Sequence, residues 1–184
     1  MIWLVRHAAT EWSESRRHTG RTDIPLTEAG REHARALAGT LAAERFAAVL
    51  SSPLSRARET CSLAGLEPTE VLDDLLEWDY GEYEGITTTE IRETRPDWYL
   101  WRDGCPGGES PENVAARADR VVQQLLGVDG DVAIFSHGHM LRMLAGRWIE
   151  LAADGGGRLA LSTGSVSVLG FEREVRVIHR WNET

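Results

Sequence analysis

The sequence contains no lysine: all twenty of its basic residues are arginine. That absence excludes a Schiff-base lysine, a lysine general base and the lysine of a Walker-type phosphate loop. Any phosphate handled by this chain must be held by arginine, histidine and backbone N–H groups. A genome-wide preference for arginine codons accounts for the usage itself, and the chemical exclusions hold either way. Cysteine is almost as scarce. Cys61 and Cys105 make no disulfide framework and lack the paired spacing of a metal site. Long apolar runs are missing too, so no membrane span is expected. Neither a basic segment nor a cleavage site precedes the strand-like Met1-Ile2-Trp3-Leu4-Val5, and a cytoplasmic protein is expected.

What is present fits a globular enzyme. The 184 residues, 42% hydrophobic and 27% charged, suit one domain over 1–184 with a substantial core and a pocket. The net charge of −9 argues against a nucleic-acid partner. A small anion remains a reasonable ligand, because a local arginine cluster can dominate a pocket inside an acidic protein.

Hydrophobic patterning alternates between strands and helices. Ile2 to Val5 is short and fully apolar, the mark of a parallel strand buried on both faces. Thr27 caps a predicted helix to about Arg45, with Ala29, His33, Leu37 and Leu41 at helical spacing. Ala47 to Leu50 reads as a second strand, followed by a helix over about 54–63. Thr87 to Arg95 is a short helix stopped by Pro96. Ser110 and Pro111 open a helix to about Leu126, with serine as N-cap and proline at the first helical position. Asp131 to Phe135 is a third strand, and Met140 to Leu151 a helix. A hairpin over about 165–179 turns at Glu172-Arg173, and Asp154-Gly155-Gly156-Gly157 is the only loose stretch. This order predicts a three-layer α/β/α sandwich around a mostly parallel sheet with an antiparallel C-terminal strand.

In such sheets ligands bind beyond the carboxyl ends of the strands. Arg6-His7, Ser51-Ser52 leading to Arg56, and Ser136-His137 all leave predicted strands there. A histidine offers an uncharged ring nitrogen near neutral pH. Arginine suits a phosphate dianion bidentately. Each residue also has an ordinary structural alternative: His7 as a packed or surface residue, Arg56 as a solvated helix arginine. Arg58 is the weaker choice, lying about 200° from Arg56 round the helix at ~100° per residue. The pair His137 and His139 invites a metal, but no HExxH, cysteine pair or dense Asp/His cluster supplies further ligands. Neither metal nor cofactor is expected. Gly138 instead lets backbone approach a bound anion. Glu77, Glu82 and Glu84 are interleaved with Trp78, Tyr80 and Tyr83, a setting in which one carboxyl becomes a general acid.

Together these segments resemble the histidine phosphatase (phosphoglycerate-mutase-like) superfamily, and within it small actinobacterial acid phosphatases. The likeness rests on five motifs in order: Leu4-Val5-Arg6-His7-Ala8-Ala9-Thr10-Glu11-Trp12, Thr19-Gly20 with Pro25 to Gly30, Ser51 to Ala57, Glu77 to Gly85, and Ser136 to His139. It implies a metal-independent phosphomonoesterase acting on a small phosphorylated metabolite through a phosphohistidine on His7. Arg6, Arg56 and His137 would hold the phosphoryl oxygens, helped by Thr19, Gly20, Gly138 and Ser13. Glu77, or Glu82 second, would donate the proton. Two departures stand out: Ala8 follows the histidine where glycine is usual, and Ser13 replaces a common asparagine, shortening or removing one donor. A phosphoglycerate-type mutase is the alternative within the family, disfavoured by the short chain and the little room near 154–157 for a lid. A catalytically silent phosphate-binding module is the alternative outside it, disfavoured because every expected catalytic position is filled. A homodimer is left open.

Overall fold

The computed structural model describes residues 1–184. In chain order its elements are β1 (Ile2–Arg6), α1 (Glu11–Glu14), α2 (Glu28–Leu41), β2 (Phe46–Ser51), α3 (Ser55–Leu63), β3 (Glu70–Val71), α4 (Thr88–Thr94), α5 (Leu100–Asp103) and α6 (Pro111–Leu126). There follow β4 (Asp131–Ser136), α7 (Gly138–Trp148), β5 (Val166–Glu172) and β6 (Val175–Glu183), with short 3₁₀ turns at Asp73–Leu75, Gly81–Tyr83 and Gly155–Arg158. No helix is long and apolar enough to cross a membrane.

The six strands lie in the order β3-β2-β4-β1-β5-β6. β1, β2, β3 and β4 are mutually parallel, and β5 runs antiparallel between β1 and β6. Side chains alternate across the sheet and make two cores. Ile2, Leu4, Leu50, Val132 and Ile134 pack with α6, α7 and the aromatic segment around Trp78, Trp98 and Trp101. Trp3, Val5, Val49, Ala133 and Phe135 pack with Leu37 and Leu41 of α2 and Cys61 of α3. The expected α/β/α layering and the antiparallel strand are both found.

Several boundaries move, each for a local reason. α2 ends at Leu41 and not near Arg45, because the Glu44 N–H turns back to the Leu41 carbonyl before β2 begins. α7 spans Gly138–Trp148 and not 140–151. It starts as soon as the chain leaves β4, and Glu150 breaks it with φ +65°. β6 continues to Glu183, still pairing with Val166, and the hairpin turns one residue later, at Arg173 with φ +56°. The short α1, α5 and β3 have too little periodicity to be read from sequence.

The stretch taken as loose is packed. Gly155 and Gly156 are buried, and a Cβ on Gly156 would lie 2.6 Å from the Trp101 ring. Glycine there permits close approach of backbone to tryptophan, not freedom of motion.

Candidate active site

Strand register assembles the site. Arg6 of β1 pairs with Ser136 of β4, and Ser51 of β2 pairs with Phe135. His7, His137 and Ser52 are each the next residue, so the three leave one sheet edge side by side. The ladder continues past the strands, with the His7 N–H donating to the Ser136 carbonyl at 2.9 Å and the Ser52 N–H to the Phe135 carbonyl at 2.9 Å. The His7 and His137 ring centroids are 5.2 Å apart.

His7 is 4% exposed, and its Nδ1 lies 2.8 Å from the Ala8 carbonyl oxygen. A carbonyl only accepts, so Nδ1 carries the proton and Nε2 keeps its lone pair. Burial, then the Arg6 and Arg56 charges, push the His7 pKa well below the ordinary histidine value. Ala8 is fully buried and is not among the residues with positive φ, so alanine in place of glycine brings no backbone strain.

Arg6 and Glu77 line a cavity of about 300 Å³ together with His7, Ser13, Arg16, Arg17, His18, Thr19, Tyr80, Thr88 and His139. Arg6 Nη1 donates to the Leu161 carbonyl, while its buried Nε has no partner. An unpartnered buried guanidinium nitrogen at an open cavity is a ready anion donor. Gly138 sits beneath it. A Cβ at Gly138 would lie 3.1 Å from Arg6 Cζ, so glycine makes room for the guanidinium.

Glu77 rides on the start of α7. Its carboxylate accepts from the Trp78 and Met140 N–H groups at 2.9 Å each and from the His139 N–H at 3.0 Å. Its backbone is held by Arg117, which donates to the Asp74 and Leu76 carbonyls at 2.8 and 2.9 Å and grips Glu109 at 2.7 and 2.8 Å. Glu82, the other candidate acid, is exposed in the Gly81–Tyr83 turn and lies outside the cavity.

The remaining expected donors are brought to the site but already have partners. Arg56 is 0% exposed. Its Nε donates to His137 Nδ1 at 3.2 Å, Nη1 to the Thr22 carbonyl at 2.9 Å, and Nη2 to the Gly20 and Thr19 carbonyls at 2.8 and 3.2 Å. An arginine only donates, so His137 Nδ1 is the acceptor, and His137 Nε2–H donates to Ser52 Oγ at 2.7 Å. Ser13 Oγ is occupied on both sides by Thr10, donating to its carbonyl at 2.8 Å and accepting its N–H at 2.9 Å. The Gly20 N–H donates to Glu84 at 2.9 Å, and a Cβ at Gly20 would meet the Trp78 carbonyl at 2.6 Å. Gly20 thus closes the 19–22 loop onto the acid segment. Thr19 lines the cavity, with its hydroxyl on the Arg17 carbonyl.

Sequence reasoning did not single out Arg16, Arg17, His18 and Thr88 for the site, and it weighed His139 only as a metal ligand. The uninterrupted Arg16-Arg17-His18 ahead of Thr19 was the available signal. The rings of His137 and His139 diverge, the first to Ser52 and the second to the Tyr80 hydroxyl. No group of three or more metal-ligating side chains is present.

The pattern of the histidine phosphatase superfamily (branch 1) matches residues 2–184. The chain belongs to this superfamily. It is 46% identical over 180 residues, 95% of this chain and 88% of the relative, to an acid phosphatase of Mycobacterium tuberculosis (strain ATCC 25618 / H37Rv). It is 35% identical, over 82% of this chain and 68% of the relative, to the sedoheptulose 1,7-bisphosphatase of Saccharomyces cerevisiae (strain ATCC 204508 / S288c). Among solved structures, a Mycobacterium tuberculosis open reading frame superposes with a TM-score of 0.95 at 43% identity, covering 100% of this chain and 97% of that one. A mycobacterial glucosyl-3-phosphoglycerate phosphatase in complex with VO3 superposes with a TM-score of 0.87 at 26% identity, covering 100% and 98%. This member of the superfamily is a phosphomonoester hydrolase acting on small phosphorylated metabolites.

Proposed function

We propose that His7 Nε2 is the nucleophile, Arg6 the principal phosphoryl clamp and Glu77 the proton donor. The observation that carries this reading is the His7 Nδ1–H bond to the Ala8 carbonyl, which leaves the Nε2 lone pair open at the cavity wall. In the first step Nε2 bonds to phosphorus, the bond from phosphorus to the ester oxygen breaks, and Glu77 delivers a proton to the departing oxygen. The imidazole gains positive charge as the P–N bond forms, and the Ala8 carbonyl dipole stabilises it. In the second step water attacks phosphorus, Glu77 takes the water's proton, and the P–N bond breaks to release phosphate.

The charge on the phosphoryl oxygens calls for donors that are already oriented. Arg6 supplies Nε and Nη2, for which no protein acceptor is found. Arg56 and His137 stand behind His7. His137 reaches the phosphoryl group once its bond to Ser52 Oγ is exchanged for one to a phosphoryl oxygen, and Arg56 steadies it through Nδ1. Water-mediated turnover fits better than transfer to a second metabolite, since exposed Arg16 and Arg17 form one side of the cavity and leave it open to solvent.

The test is a rapid-mix experiment with excess p-nitrophenyl phosphate in the presence of chelator, stopped in alkaline detergent, in which phosphohistidine survives. A burst of nitrophenol, with an acid-labile phosphate on the peptide containing His7, is expected. Sustained loss of activity on chelation, or a burst without a phosphopeptide, overturns the reading.

A further inference from the structure

A side chamber of about 210 Å³ opens off the main cavity, sharing His18, Thr88 and His139 with it and continuing to Arg92, Trp98, Tyr99, Leu100, Trp101 and Arg142. It has two arginines and no carboxylate in its lining. Resting on the phosphatase reading above, we propose that this chamber binds a second anionic group of the substrate, a carboxylate or another phosphate. The preferred substrates are then phosphomonoesters whose organic part carries its own negative charge.

Arg142 is the central element. Its Nε donates to the Gly156 carbonyl at 3.2 Å and its Nη2 to the Gly157 carbonyl at 3.1 Å, and its guanidinium carbon lies 4.9 Å from the Trp101 ring centroid. The side chain is thus rigid before any ligand arrives, and Nη1 has no protein partner. Arg92 Nε donates to the Trp98 carbonyl at 3.1 Å, leaving both terminal nitrogens of that guanidinium unpartnered. Arg142 is partly buried, and a cation so placed without a counter-ion is a cost that an incoming anion removes, whereas Arg92 stands exposed at the chamber rim.

Neither chamber arginine has a carboxylate partner of its own. Arg21, Arg31, Arg56, Arg117, Arg120, Arg147 and Arg176 each have a carboxylate within 4 Å. Arg6, Arg16 and Arg17 of the main cavity and Arg92 and Arg142 of the chamber have none, although the chain carries 29 acidic residues against 20 arginines. Other arginines without a carboxylate partner, Arg45, Arg58, Arg95, Arg158 and Arg173, lie outside these two cavities.

The two tryptophans of the lining are packed into the fold. Trp98 is covered by Tyr83, 5.3 Å away between centroids, and by His18 at 5.6 Å. Trp101 packs on Trp78 at 5.4 Å beneath Arg142. Both tryptophans are buried, and only Tyr99, at 42%, is well exposed. The glycine turn over 155–157 acquires a purpose, since its two carbonyls aim Arg142.

The experiment compares matched pairs, 3-phosphoglycerate with glycerol 3-phosphate and a sugar bisphosphate with its monophosphate, and uses p-nitrophenyl phosphate as the reference ester. The doubly anionic members are expected to show kcat/KM higher by about tenfold or more, the range of one charge-assisted contact. In Arg92→Ala and Arg142→Gln that preference should shrink to within about threefold, mainly through KM. Arg142 also braces the glycine turn, so Arg92→Ala, at an exposed position, carries the test if Arg142→Gln does not fold. Equal kcat/KM within the pairs, or variants that slow every ester alike, overturns the second-anion site while leaving the phosphatase reading intact. Absence of turnover on any ester, p-nitrophenyl phosphate included, overturns both.

Discussion

The floor of the cavity and its side chamber treat positive charge in opposite ways. On the floor, Arg56 and His137 are buried and their polar atoms are taken by Thr19, Gly20, Thr22 and Ser52. In the chamber, Arg92 and Arg142 keep donors without partners. A satisfied network holds a nucleophile still, because moving any member strands a buried polar group. An unsatisfied pair of guanidinium groups waits for something from outside. On the proposals above, chemistry and selection fall to two neighbouring regions built on different elements. The floor hangs on strand ends and the first turn of α3, and the chamber on α4, α5, α7 and the glycine turn.

This contrast is sharpened most by His7→Ala. Loss of the nucleophile should lower kcat/KM by at least roughly 10⁴-fold for every ester, with no change in the ranking of substrates. A changed ranking would mean that floor and chamber are not separable. Glu77→Gln comes next, with an expected loss of roughly 10²–10⁴-fold. The deficit should be larger for alkyl phosphates than for p-nitrophenyl phosphate, whose leaving group needs no proton. An equal deficit for both would deny Glu77 its role at the leaving oxygen.

Arg117→Ala probes the support and not the chemistry. The Arg117–Glu109 pair is largely buried and bidentate, so removing one partner should cost about 3–5 kcal/mol in urea unfolding. A loss below ~1 kcal/mol would show that the acid segment holds itself in place.

The last effect is graded with pH. Burial lowers the pKa values of His7, His18, His137 and His139, His18 to about 4. In the unfolded chain the same rings titrate near ~6.5. Below that pH the unfolded state takes up protons that the native state refuses. Their stabilisation is complete above ~6.5 and is lost as pH falls towards the native values, by up to ~1.4 kcal/mol per unit for each ring. Melting at pH 7 and pH 5 should show the decline. The same shift keeps His7 uncharged, so the acid limb of kcat/KM should lie below ~6.5; a limb at or above that value would contradict the burial of the ring.

Much of the fold was legible in short apolar runs and caps. Thr27 and Ser110 cap their helices as read, and Thr87, read as the first helical residue, is a cap as well, each accepting the N–H three residues on. Helix ends were less legible, because Leu41 and Trp148 end their helices where the path to the next element demands it and not where periodicity fades. Within the site, the placement of Arg6, His7, Arg56 and His137 around one sheet edge was readable from strand ends, while Glu77 was read from a loop interleaved with aromatics. Which of them keep donors available was not. Ser13, Gly20 and Arg56 have partners from Thr10, Glu84 and the 19–22 loop, and a hydrogen bond between segments leaves no periodic trace in either.

By itself the amino-acid sequence determined the alternation of strand and helix, the exclusion of lysine chemistry, and the histidine with an arginine before it at the end of a buried strand. Local propensity, spacing and side-chain chemistry suffice for those. Only the tertiary structure decided which His7 nitrogen is open, that Glu77 and not Glu82 faces the cavity, and that a glycine turn fixes Arg142 in the wall of the side chamber. Those outcomes depend on which groups from distant segments are left to share the same few hydrogen bonds, and that allocation is settled only when the segments meet.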